Sequence, residues 1–177
     1  MSVDEVQSVV LVPAAGAGQV VTDLRLEYDQ SAAAGVPPHL TLMFPFLPAR
    51  ELTDVAVDAL GSLIGQSAAF EVSLTRVNQF EQGVVYLEPE PVAELIRLTK
   101  EIGRQFGLLP FGGKFGEEPV PHLTVGVVES ASVRRKIADQ LVPELPITIR
   151  AEEAWLMVGT NSSNWTIVRK MRFRDGD

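Results

Sequence analysis

Hydrophobic positions along the chain follow two periods, one of strands and one of helices. Residues 6–12 form an apolar run, interrupted by Gln7 and Ser8, that stops at Pro13-Ala-Ala-Gly16-Ala-Gly18, as a strand and loop would. Val20, Val21, Leu24 and Tyr28 then recur at helical spacing and end before Gly35-Val-Pro-Pro38. Residues 38–44 read as a strand. Leu52, Val55, Ala56, Ala59, Leu60, Leu63 and Ile64 fall at offsets 0, 3, 4, 7, 8, 11 and 12, which gives a helix one apolar face. Phe70, Val72 and Leu74 alternate as a strand, and 84–88 is another. Pro91 opens a helix over Val92, Leu95, Ile96, Thr99, Ile102 and Phe106, with Gly107 as its stop. A glycine-rich loop at 110–121 leads into a strand over 121–128. Ser132 is placed to cap a short helix over Val133, Ile137 and Leu141. Strands at 145–149, 154–158 and 165–173 complete the chain.

The order of elements repeats. After His39 come strand, helix, strand, strand and helix; after His122 come strand, helix, strand, strand and a further strand. The strand and helix of 6–34 are left over, and they can supply the second half with the helix it lacks. Consecutive strand pairs with few helices predict an α+β fold rather than a parallel doubly wound sheet. One two-lobed domain over 1–177 is expected, with the first lobe at 36–108 and the second at 109–177 plus 1–35.

The repeat carries chemistry. The chain has two histidines, and both sit in Pro-His-Leu-Thr-aliphatic: Pro38-His39-Leu40-Thr41-Leu42 and Pro121-His122-Leu123-Thr124-Val125. A match of this kind around a given histidine arises by chance roughly once in a few thousand. On a strand, residues two apart share a face. His39 therefore stands beside Thr41, and His122 beside Thr124, while Leu40, Leu42, Leu123 and Val125 turn to a core. A twofold relation between the halves would bring two imidazoles and two hydroxyls to one cleft. Imidazoles near neutral pH act as general base and general acid. Threonine hydroxyls donate hydrogen bonds to phosphoryl oxygens. Hydrolysis of a phosphodiester needs both kinds of group and no metal.

These paired His-x-Thr-x motifs resemble the two-histidine phosphoesterase superfamily, which includes 2'-5' RNA ligase-like proteins and 2',3'-cyclic phosphodiesterases. The resemblance extends to residues 35–46, 85–91, Gly112-Gly113-x-Phe115, 120–126 and 156–159, nearly the whole chain. It implies a bilobal α+β fold, a pseudo-twofold duplication in which two antiparallel sheets line a V-shaped cleft with helices outside. It also implies metal-independent chemistry on 2',3'-cyclic phosphates or related esters, with no cofactor. His39 and His122 match the catalytic histidines, and Thr41 and Thr124 the phosphate-binding hydroxyls. Which imidazole is base and which is acid depends on the bond broken. Phe115 and Phe111 precede the second motif and are candidates to stack on a base, or to be pinned to the core. Arg25 and Lys114 are candidates to reach a phosphate, or plain surface cations.

Composition narrows the field. Absence of Cys excludes disulfides, thiolate nucleophiles and iron–sulfur clusters. A zinc site from His39, His122 and Glu117 or Glu118 lacks a ligand spacing. Gly107–Phe115 is not a P-loop, since Lys114 is followed by Phe and then by a strand. Gly16-Ala-Gly18 is too short for a dinucleotide fingerprint. Trp155 and Trp165 read as core. The acidic N-terminus has no basic leader, and no stretch is long enough to span a membrane, so a cytoplasmic location is expected. The sequons at Asn161 and Asn164 then read as chance matches.

Net charge is −8: residues 1–93 carry three basic groups and twelve acids, residues 94–177 twelve basic groups and eleven acids. Residues 134–136 and 169–174 are basic runs of the solvated kind. So acidic a chain suits a small phosphoester or a short RNA end better than long nucleic acid, and a monomer is expected. A nucleotide- or RNA-end-binding module with little catalysis, and a 2'-5' RNA ligase, fit the same motifs.

Overall fold

A computed structural model describes residues 5–161 and 164–176. Residues 1–4 of the acidic N-terminus and Ser162 and Ser163 of the first sequon lie outside the described residues. The strands are β1 (Gln7–Pro13), β2 (His39–Met43), β3 (Phe70–Gln79), β4 (Val84–Glu90), β5 (Leu123–Val127), β6 (Ile147–Ala151), β7 (Glu153–Gly159) and β8 (Thr166–Arg172). The helices are α1 (Gly18–Tyr28), α2 (Gln30–Ala33), α3 (Asp54–Gln66), α4 (Ala93–Phe106) and α5 (Ala131–Leu141).

The strands form two four-stranded sheets, ordered β2-β1-β7-β8 and β5-β4-β3-β6, with every pairing antiparallel. The fold is α+β, and each His-Leu-Thr strand is an edge strand of its own sheet. The sheets do not follow the segments 36–108 and 109–177 plus 1–35. β2 pairs with β1, which pairs with β7, while β3 and β4 pair with β5 and β6. The repeat begins one strand and one helix before each motif, as β1-α1-β2 and β4-α4-β5. The leftover N-terminal strand is thus the first motif's own neighbour.

The helices are exchanged between the sheets. α1 packs on β5, and α4 packs on β2. Close approach makes this possible: a Cβ on Gly126 of β5 would lie 2.7 Å from the Tyr28 Cβ of α1. α1 therefore does serve the second motif's sheet, as expected. The inward faces of both sheets share one core. Val10, Leu40 and Leu42 of the first and Val85, Leu87 and Leu123 of the second are at most 2% exposed. Burying such a side chain contributes about 1.5–3 kcal/mol.

Local signals set most element ends. Thr53 caps α3 through the Ala56 N–H, and Gly107 ends α4 at φ 68°. Two expectations shift. The cap of α5 is Ser130, whose Oγ accepts from the Val133 N–H, and Ser132 lies inside the helix. The serine two positions earlier has the extended backbone that a cap requires. Pro91 stands two residues ahead of α4, after a cis peptide bond, and Val92 occupies the cap position. Trp155 and Trp165 are half-buried and pack against a small second cluster of Val9, Leu11, Val36 and Met157. No helix among the described residues is long and apolar enough to cross a membrane.

Candidate active site

The edge strands β2 and β5 lie side by side; β2 carries His39 and Thr41, and His122 immediately precedes β5, which carries Thr124. The alternation is as the sequence predicts: Leu40, Leu42, Leu123 and Val125 are buried, while His39, Thr41, His122 and Thr124 keep partial exposure.

The two imidazoles are held alike. His39 Nδ1 is 2.8 Å from the Pro37 carbonyl oxygen, and His122 Nδ1 is 2.7 Å from that of Val120. Each histidine follows a proline, which keeps the residue before it extended. In both motifs the bonded carbonyl belongs to that residue, two positions before the histidine. A carbonyl only accepts, so each Nδ1 carries the proton and donates. The neutral ring then has Nε2 as its bare, basic nitrogen.

Both rings favour the neutral form. Removal from water pushes His39 down to about 4, with help from the positive charges of Arg25 and His122 and against the Pro37 carbonyl and Asp29. Removal from water also lowers His122, against the Val120 carbonyl.

A cavity of about 500 Å³ opens at this junction. Thr41, His122 and Thr124 line it, and Thr99 of α4 closes one side. His39 is not among the lining residues; it stands two residues from Thr41 on the same strand face. The rest of the wall is largely aromatic, from Phe44, Phe80, Phe111 and Phe115, and the lining includes no Lys or Arg. Among the described residues, Glu81 and Glu118 bring the only carboxylates to the lining.

Aromatic rings enclose His122. Phe80 meets it at 5.1 Å and 88°, Tyr86 at 5.5 Å and 63°, and Phe111 lies near-parallel at 6.5 Å and 23°. Phe80 and Tyr86 stack on each other at 4.2 Å. Phe111 adopts φ 53°, a left-handed conformation that costs a non-glycine residue about 1–2 kcal/mol. Its N–H donates to the Phe44 carbonyl at 2.6 Å, which helps hold the ring toward His122.

The other candidates divide. Phe111 and Phe115 both line the cavity and are 37% and 58% exposed, so neither is pinned in the core. Lys114 places its ammonium 5.3 Å from the Phe115 ring centroid and is not part of the cavity wall. Arg25 is neither a ligand-facing cation nor a surface one. It is 2% exposed, and its guanidinium is spent on Asp29 at 3.0 and 3.2 Å, the Val36 carbonyl at 3.0 Å and Ser31 Oγ at 3.2 Å. Asp29 caps α2 by accepting from the Ser31 N–H, and that fixes the partner Arg25 needs. Among the described residues no group of three or more His, Asp or Glu is arranged to hold a metal ion.

Phe44, Phe80, Tyr86 and Thr99 belong to the site without having been singled out in the sequence. Phe44 follows the first motif directly, so its position was a usable signal. Phe80, Tyr86 and Thr99 arrive from the ends or faces of β3, β4 and α4, which only tertiary pairing brings together.

Two hydroxyl donors beside two imidazoles with bare Nε2 atoms can hold a phosphoryl group and move protons on either side of it. Comparison with known proteins places the chain in a family. A protein of Bacillus cereus (strain G9842), provisionally named a phosphoesterase, is 32% identical over 124 residues, 67% of each chain. A second such protein, from B. cereus strain AH820, is 26% identical over 96% of this chain and 97% of its own. LigT of E. coli, solved in complex with NADP+, shares the fold with a TM-score of 0.61 at 19% identity, over 97% of this chain and 99% of LigT. The TT0787 protein of Thermus thermophilus gives 0.57 at 18% identity, over 97% of this chain and all of its own. Residues 12–162, spanning both histidine motifs, match the family model of the 2'-5' RNA ligase superfamily, and the chain belongs to that superfamily.

Proposed function

We propose that the chain hydrolyses a 2',3'-cyclic phosphate or a similar small nucleotide phosphodiester, with His39 and His122 as paired general base and general acid. The observation that carries this reading is the matched pair of imidazoles. Each has Nδ1 fixed on a backbone carbonyl and Nε2 free, and each shares a strand face with a threonine.

The phosphoryl group lies between β2 and β5. The Oγ1 hydroxyls of Thr41 and Thr124 donate to its non-bridging oxygens and stabilise the charge that builds there. Nε2 of one imidazole takes a proton from water, whose oxygen forms the new bond to phosphorus. The bond from phosphorus to one ribose oxygen breaks, and the second imidazole, protonated, gives its Nε2 proton to that oxygen. Water is consumed and a phosphomonoester leaves.

The acid must acquire its proton before this step. Burial favours the neutral form of both rings. The substrate brings a negative charge, which favours an imidazolium beside it. Binding thus recruits the proton that catalysis spends. The apolar wall of Phe44, Phe111 and Phe115, whose neighbouring rings meet edge to face, offers aromatic surface to a nucleobase. A cavity lining free of Lys and Arg suits a monoanionic diester better than a polyanion.

The test follows the ³¹P NMR signal of 2',3'-cyclic AMP with purified protein in excess EDTA. The expected result is conversion of the cyclic signal to a phosphomonoester. A cyclic signal that persists across a panel of four 2',3'-cyclic nucleotides rejects the hydrolase reading. Tight binding without turnover would instead make the chain a nucleotide-binding module.

A further inference from the structure

The catalytic cavity adjoins a second one. A groove of about 370 Å³ runs along α4 and shares Thr99, Pro110, Glu118 and Pro119 with the first cavity. It differs in character. The catalytic cavity has no cation on its wall, whereas the groove is lined by Lys100 and Arg104 together with Glu117 and Glu118. Thr99 faces both cavities, and Arg104 lies about 7.5 Å further along the helix. The cations therefore stand beside the reacting site rather than within it.

These cations are available. Arg104 is exposed and pairs with no carboxylate among the described residues. Lys100 Nζ sits 2.9 and 3.0 Å from the two carboxylate oxygens of Glu118, whose side chain is 79% exposed. Exposed ion pairs of this kind hold weakly. Glu118 itself lines both cavities. Its carboxylate occupies the place on Lys100 that another anion would take.

We infer that the groove is a subsite for a second phosphate of the substrate, one nucleoside unit from the reacting phosphoryl group. The phosphate displaces Glu118 from Lys100 and gains Arg104, both as charge-assisted hydrogen bonds. Two sources share this chemistry: a 5'-phosphate on the reacting nucleoside, or the next phosphodiester of a short RNA end. The inference rests on the phosphodiesterase reading only in placing the reacting phosphate between β2 and β5.

Calorimetric titration of the full chain with 3'-AMP, adenosine 3',5'-bisphosphate and the 3'-phosphorylated dinucleotide ApAp tests it. One of the two larger ligands should bind the wild type about tenfold tighter than 3'-AMP, and which one does so identifies the source. In the Lys100→Ala/Arg104→Ala double variant that ratio should fall to about one. Glu118→Gln should widen it. The inference is overturned if the wild type binds all three ligands equally or binds none. It is also overturned if the ratio survives in the double variant or narrows in Glu118→Gln. Failure to turn over 2',3'-cyclic AMP with the ratio intact would remove the hydrolase reading and leave the groove. Turnover with no ratio would remove the groove alone.

Discussion

His39 and His122 look interchangeable in the sequence, yet their surroundings differ. His39 is backed by the buried guanidinium of Arg25, and His122 is enclosed by three aromatic rings. The His39 ring should stay neutral through the physiological range, and an NMR titration of its Cε1 proton should give a midpoint below pH 5. A midpoint above 6 would contradict the burial described. The same burial links to stability. The folded state holds His39 at about 4, below the value of about 6.5 for an unfolded chain. Between those values the unfolded chain takes up a proton that the folded chain refuses. Stability should therefore fall as pH drops from about 6.5 to about 4. Urea titrations should show this slope reduced in His39→Gln, because the asymmetric site has been removed. At this scale the sequence was informative: motif, period and neighbouring proline together place each imidazole. It was silent about Arg25, because a lone arginine on a helix has no signal that distinguishes a buried structural ion pair from a surface cation.

The elements that matter most are α1 and α4, each crossing to the other motif's sheet. The Arg25–Asp29 pair ties the end of α1 to Val36, one residue before the Pro37 carbonyl that holds His39. Arg25→Met should cost about 3–5 kcal/mol in urea unfolding, because it leaves the Asp29 carboxylate buried without its partner. A loss below 1 kcal/mol would show that the pair is not a structural tie. Gly126→Ala tests the crossing itself, since the added Cβ meets Tyr28 Cβ at 2.7 Å. Forcing α1 off β5 should destabilise the protein by about 1–3 kcal/mol and lower turnover. A variant as stable as wild type would contradict the close packing. Helix and strand identities were legible from period, but the lobes were not. β2 finds its neighbours in β1 and then β7, more than a hundred residues away from it in the chain, and hydrophobic alternation carries no information about pairing partners.

At the scale of the molecule, a charge of −8 meets a cavity without cations and one groove with two. That distribution favours a ligand with few phosphates. A twenty-nucleotide RNA should bind within about threefold of a dinucleotide at physiological salt, since added phosphates find no further Lys or Arg on the walls of the two cavities and meet a net charge of −8. A hundredfold gain would contradict this. Duplication and charge balance could both be read in the sequence. The aromatic wall could not, because Phe80, Tyr86 and Phe111 come together only when β3, β4 and the 110–121 loop are folded. The central claim is that two imidazoles act as one unit on one phosphoryl group. Single-turnover hydrolysis of 2',3'-cyclic AMP by wild type, His39→Ala, His122→Ala and the double variant tests it most directly. Each single variant should lose about a thousandfold, and the double variant should be about as slow as either one, as residues of a single catalytic unit behave. Retention of the wild-type rate in either single variant would contradict the account.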